Sequence, residues 1–128
     1  MQSYRELLVW QKSMDMAEAC YQLTAEFPRD EMYGMTAQIR RAAVSVPANI
    51  AEGHRRDNTG SFVHFLRIAQ GSLKELETHL VLAARVRLVA AEKTVTLLSE
   101  CEATGKMPRS LIRSLQAKSK AREAETDA

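Results

Sequence analysis

The chain has five glycines and three prolines in 128 residues, and no segment alternates apolar and polar residues over the length of a strand. That scarcity of turn-formers excludes a set of short strands and leaves an all-α chain. Aromatic residues make up only 5%, so the interleaved rings of a base-stacking surface are missing, and Phe62 and Phe65 belong to or flank a helical core stripe. No apolar run approaches the ~20 residues that a bilayer crossing needs. Leu80 to Ala84 is typical of the longest. The opening MQSYRELLVWQK holds an apolar patch too short for a signal-peptide core, which predicts a cytoplasmic protein. Cys20 and Cys101 lack paired spacing and read as small core hydrophobes.

Catalytic patterns are missing as well. The chain has no glycine-rich phosphate loop, no nucleophile elbow, no Cys-x-x-Cys and no His-Glu-x-x-His. His64 and His79 lie about four helical turns apart and His54 lies outside their helix, so the three do not converge on a metal. Glu75 and Glu77 are separated by about 200° on a helix and cannot work as an acid/base pair. These absences predict a protein that is not an enzyme and takes no cofactor, metal or small-molecule substrate.

What the chain does have is helical periodicity, with 45% hydrophobic residues, enough for one domain with a single core. Leu7, Trp10, Met14, Ala17, Tyr21 and Thr24 set the stripe of a first helix that Phe27-Pro28 ends. A second helix is predicted from an N-cap at Asp30 through Met32, Met35 and Ile50 to a left-handed terminator at Gly53. Pro47 inside it removes a backbone bond and bends it near Ala43. Ile39, Ala42, Ala43, Val46 and Ile50 share its core face, while Ala37, Val44, Ala48 and Ala51 make the other side apolar too, as a helix in an assembly would need.

Asn58 or Thr59 caps a third helix beginning near Ser61, with Phe62, Leu66, Ala69, Leu73, Leu76, Leu80 and Ala83 or Ala84 inward. A fourth runs from about Glu92 to Thr104 with Val95, Leu98 and Cys101 inward, and continues with a kink past Gly105 and Pro108. Residues 1–118 form the bundle domain, and 119–128 a frayed or disordered tail. The simplest architecture is an antiparallel up-and-down four-helix bundle, with an open helical array as the alternative.

Net charge is +2, unevenly spread. Residues 37–87 hold eight basic and four acidic groups, and residues 106–122 hold six basic and none acidic. On the third helix Arg67, Lys74 and Arg85 fall within about 20° of one another, away from the core. With Arg40, Arg41, Arg55 and Arg56 they make a candidate phosphate-contacting surface for structured RNA or, less favoured, DNA. Polar residues near the core, Asn49, Glu52, Ser72 and Glu75, are expected to hydrogen-bond across helices, and Gly71 to mark a close helix crossing or partner contact.

Val9-Trp10-Gln11-Lys12, Phe27-Pro28, Tyr33-Gly34, Gln38 through Arg41, Asn49 to Gly53, Gly71-Ser72 and Glu75-Leu76-Glu77 together resemble the 23S rRNA intervening sequence protein family of bacterial four-helix bundles, over about residues 4–115. The resemblance implies an up-and-down bundle that assembles as a homopentamer. It also implies nucleic-acid binding, by analogy with the similar accessory variability determinant protein of diversity-generating retroelements. Pro47 and Pro108 depart from the family's pattern. The expectation is a non-enzymatic RNA-binding oligomer without a membrane partner, and the alternative is a protein-binding scaffold whose cations only solubilise it.

Overall fold

A computed structural model describes residues 3–127, which form four helices: α1 (Leu8–Thr24), α2 (Met35–His54), α3 (Thr59–Arg85) and α4 (Ala91–Asp127). Single 3-10 turns precede α1, at Tyr4–Glu6, and α2, at Arg29–Glu31. Each helix packs on its sequence neighbours, and α4 closes onto α1. α1 and α3 are diagonal to one another, as are α2 and α4. The fold is the expected up-and-down four-helix bundle. No helix among the described residues is long and apolar enough to cross a membrane.

The buried stripe of α1 is Val9, Ser13, Met16, Ala17, Cys20, Leu23 and Thr24, rotated from the expected one. Met14 and Tyr21 face solvent at 44% exposure each. The stripe mixes the large Val9, Met16 and Leu23 with the small Ser13, Ala17, Cys20 and Thr24. Their hydroxyls are satisfied locally: Ser13 Oγ donates to the Val9 carbonyl at 2.6 Å and Thr24 Oγ1 to that of Cys20 at 2.7 Å.

Two expectations for α2 fail at its ends. Asp30 does not cap it, because Pro28 leads into the 3-10 turn and the helix starts only at Met35. Glu31 takes the capping role, its carboxylate accepting from the Met35 N–H at 3.2 Å. Gly53 is no left-handed terminator either: it lies within the helix, buried, and no described glycine has positive φ. A Cβ there would stand 2.7 Å from Phe65 Cβ and 3.3 Å from the Phe62 carbonyl, so glycine is required for α2 to touch α3. Pro47 is buried in the same helix.

Asn58 caps α3 as expected, its Oδ1 accepting from the Ser61 N–H at 2.8 Å. At the other end Leu88 N–H reaches the Ala83 carbonyl at 2.9 Å and Arg87 N–H that of Ala84 at 3.1 Å, a Schellman ending. Its left-handed residue is Arg87, with φ 65°, where glycine would avoid a cost of about 1–2 kcal/mol.

α4 runs unbroken through Gly105 and Pro108 to Asp127, so the tail expected to fray from residue 119 is helical as far as the described residues go. Ala128 lies outside them. Val95, expected inward, is 62% exposed. The phase is set instead by buried Thr94, Leu97, Cys101, Thr104, Pro108 and Ile112, a three-four spacing in which two threonines hold apolar slots.

Cys20 and Cys101 are free and fully buried, and Cys101 Sγ lies 3.4 Å from Met16 Sδ. Burial pushes both thiols up to about 12 from 9.0. The folded state therefore favours the neutral thiol, and that contribution to stability is complete below pH 9.0 and lost as pH rises toward 12. Iodoacetamide at pH 8 is expected to leave both untouched until the protein is unfolded. Alkylation of the native protein at the rate of a free thiol would contradict this burial.

Candidate nucleic-acid interface

The seven cations expected to share one surface divide into two groups. On α2, Arg40 turns toward α1: its Nε donates to Thr24 Oγ1 at 2.8 Å and its guanidinium sits 4.5 Å from the centre of the Tyr21 ring. It holds the α1–α2 seam. Arg41 is exposed and donates to the Gln38 side-chain oxygen.

At the end of α2, Arg55 Nε and Arg56 Nη2 both reach Glu52, at 2.8 and 2.6 Å, and Arg56 also covers the Phe65 ring. The hydrogen bond from Arg55, reinforced by Arg56, holds the Glu52 carboxyl down at about 2, so Glu52 is ionised at neutral pH and is protonated only as pH falls toward 2.

On α3 the arrangement differs. Arg67 and Arg85 are exposed and make no ion pair among the described residues, and Lys74 bonds Glu77 at 3.1 Å. Lys74 also lines a groove of about 420 Å³ between α3 and α4, together with Gln70, Glu77, Glu102, Lys106 and Arg109. Gly105 lets the helices close there, since a Cβ on it would stand 3.1 Å from a Leu73 methyl. Antiparallel packing from that contact puts Arg67 level with Leu111, between Arg109 and Arg113 on α4. Lys106, Arg109, Arg113 and Lys120 fall within about 60° of one another on α4. The result is a two-helix cationic strip, interrupted by Glu77 and Glu102.

The α4 members were not singled out in the sequence, although residues 106–122 carry six basic and no acidic groups. Pro108 concealed them, because an expected kink leaves the helical phase beyond it undefined. Arg40, Arg41, Arg55 and Arg56 do not join this strip, since α2 lies diagonally across from α4.

The polar residues expected to cross between helices do so at one point. Ser45 and Ser72 hydroxyls meet at 2.7 Å across α2 and α3, and Asn49 Nδ2 donates to the Ser45 carbonyl at 2.8 Å. Ser45 is the member that sequence reasoning missed. Glu52 and Glu75 bond locally instead, to Arg55 with Arg56 and to His79. Gly71 is no crossing within the chain, as a Cβ there would meet nothing within 4 Å. No three His, Cys, Asp or Glu side chains among the described residues converge to hold a metal.

No functionally curated protein matches the chain. A solved structure of a protein of unknown function from the S23 ribosomal protein family of Bacteroides thetaiotaomicron VPI-5482 is similar, at 25% identity and TM-score 0.73, the match covering 82% of this chain and 98% of that one. The family model for the 23S rRNA-intervening sequence protein matches residues 5–110. With the helix order, the diagonal packing and the matched span in agreement, the chain belongs to the 23S rRNA-intervening sequence protein family.

Proposed function

We propose that this protein binds structured RNA, in preference to DNA, through the cationic strip along α3 and α4, and that it does so as a non-enzymatic homo-oligomer, a pentamer by family resemblance. The observation that carries the reading is the convergence of Lys74, Lys106 and Arg109 on one groove between α3 and α4, with exposed Arg67 continuing the line of Lys74 along α3. Assembly finds support in the outer α2–α3 face, where Val44 and Ile68 are 43% and 39% exposed beside open Ala48 and Gly71. Repeating the strip around a ring raises avidity without any new contact. A cytoplasmic setting accords with this reading.

A second reading, a protein-binding scaffold, draws on a mostly apolar groove of about 450 Å³ where Leu7, Leu8 and Val9 meet Met107 and Leu111. Fluorescence anisotropy of a labelled structured RNA and a matched DNA duplex, at two salt concentrations, separates the two. RNA binding that weakens steeply with salt and is lost in an Arg67→Glu/Lys74→Glu variant of unchanged oligomeric mass supports the first. Weak, salt-insensitive binding supports the scaffold.

A further inference from the structure

The Gly105–Leu73 contact at the floor of the α3–α4 groove sets its two walls level with one another. Both walls are unbroken helix, so antiparallel packing at about 1.5 Å per residue gives each side chain its opposite number. Glu102 stands opposite Leu76, one residue from Glu77. Lys106 stands opposite Ser72, two residues from Lys74, and Arg109 opposite Ala69, one residue from Gln70. All six side chains line the same cavity of about 420 Å³. The groove is therefore polar along its length. Its two carboxylates lie at one end, its two ammoniums in the middle, and its guanidinium at the other end, about 10 Å from the carboxylates.

A strip that only followed phosphates would gain nothing from carboxylates in its path, since each repels the backbone. Glu77 bonds Lys74 at 3.1 Å and its side chain is only 22% exposed. Glu102 is exposed and makes no ion pair among the described residues, although Lys106 lies one turn along the same helix. A carboxylate only accepts hydrogen bonds, so the acid end suits a ligand edge made of donors and the basic end suits an anion. Between them Leu73 and Cys101 are buried and Gly105 has no side chain, which leaves a flat floor in a cavity of small-ligand size. Among the RNA bases, guanine puts two adjacent donors, N1–H and the N2 amine, on its Watson–Crick edge, a pair that one carboxylate can take together. The other bases place a single donor group beside acceptors that a carboxylate repels. Pairing hides that edge in a duplex, so the guanine that fits is an unpaired one.

We propose that the α3–α4 groove seats one unpaired guanosine of the RNA, its Watson–Crick edge on the Glu102 carboxylate and its phosphates on Lys74, Lys106 and Arg109. The inference rests on the RNA-binding reading and adds to it a base preference at one position of the strip.

The test uses labelled RNA hairpins that share one stem and differ in a single loop nucleotide, guanosine, adenosine or inosine, the last keeping N1–H but lacking the N2 amine. Each is titrated by anisotropy against the full chain, Glu102→Gln and Glu77→Gln. The parent is expected to bind the guanosine loop about tenfold more tightly than the other two. Both variants are expected to bind every hairpin more tightly, because a negative charge leaves the strip, but only Glu102→Gln is expected to lose the preference for guanosine. A purely electrostatic Glu102 would not give that split. Equal affinity of the parent for the three loops, or a guanosine preference that survives Glu102→Gln, would overturn the groove as a guanosine site and leave the strip standing. Failure of the parent to bind any of the hairpins would overturn both readings, and saturable binding of guanosine monophosphate alone would then assign the groove to a free nucleotide.

Discussion

Gly53→Val is expected to lower stability by roughly 3 kcal/mol, at the upper end of what overpacking costs. The new branches would have to displace Phe65 Cβ and the Phe62 carbonyl, both closer than van der Waals contact to the position of a Cβ. Neither is the far end of a flexible side chain, so the cost falls on the separation of α2 from α3. Against a typical domain stability of about 5–15 kcal/mol this is a large fraction. Gly71→Ala, on the partner helix, has the opposite expected sign, a gain of about 1 kcal/mol from helix propensity with nothing to clash. Urea melts of both variants beside the parent, with oligomeric mass checked, read the contrast. A Gly53→Val protein melting with the parent would refute the close approach of α2 and α3. A Gly71→Ala protein that is destabilised or dissociates would place a partner over that surface.

The second large effect concerns charge. Reversing Arg67, Lys74, Lys106 and Arg109 together is expected to reduce RNA affinity at least ~100-fold and to flatten the dependence of log K on log salt by roughly three units, since each lost phosphate contact removes about 0.7–0.9. Replacing Arg55 and Arg56 by alanine is expected to change affinity less than about threefold, because Glu52 already claims both guanidiniums. All six belong to the same chain, yet their partners sort them. Anisotropy titrations across a salt series measure both slopes. Equal losses in the two variants would show that the α2 end contributes as much as the strip.

Architecture was legible in the sequence because α2 and α3 bury what their periodicity says they bury: Ile39, Ala42, Ala43, Val46 and Ile50 against Leu66, Ala69, Leu73, Leu76 and Leu80. The phase of α1 was legible only in part, since apolar residues occur at two rotations that share Ala17 and Thr24, and the buried one takes in Ser13, Met16 and Cys20 in place of Met14 and Tyr21. In α4, Thr94 and Thr104 occupy apolar positions and Pro108 suggests a break that a buried proline in a packed helix does not make. Of the candidate site, the stripe on α3 was readable from spacing alone. Its continuation on α4 depended on a helical phase that only packing defines. Which arginines were already occupied, by Tyr21 or by Glu52, depends on neighbours brought together by folding.

The four seams of the bundle are unequal: α2 against α3 is the most extensive, and α4 against α1 the least. Local opening follows the cheaper seam. The pair α2–α3, tied by the Ser45–Ser72 hydroxyls and drawn tight at Gly53, acts as a keel, and α1 and α4 are leaves hinged on either side of it. Anything seated in the α3–α4 groove braces one leaf against the keel, so binding there would protect the amides of α4 from exchange well before those of α1.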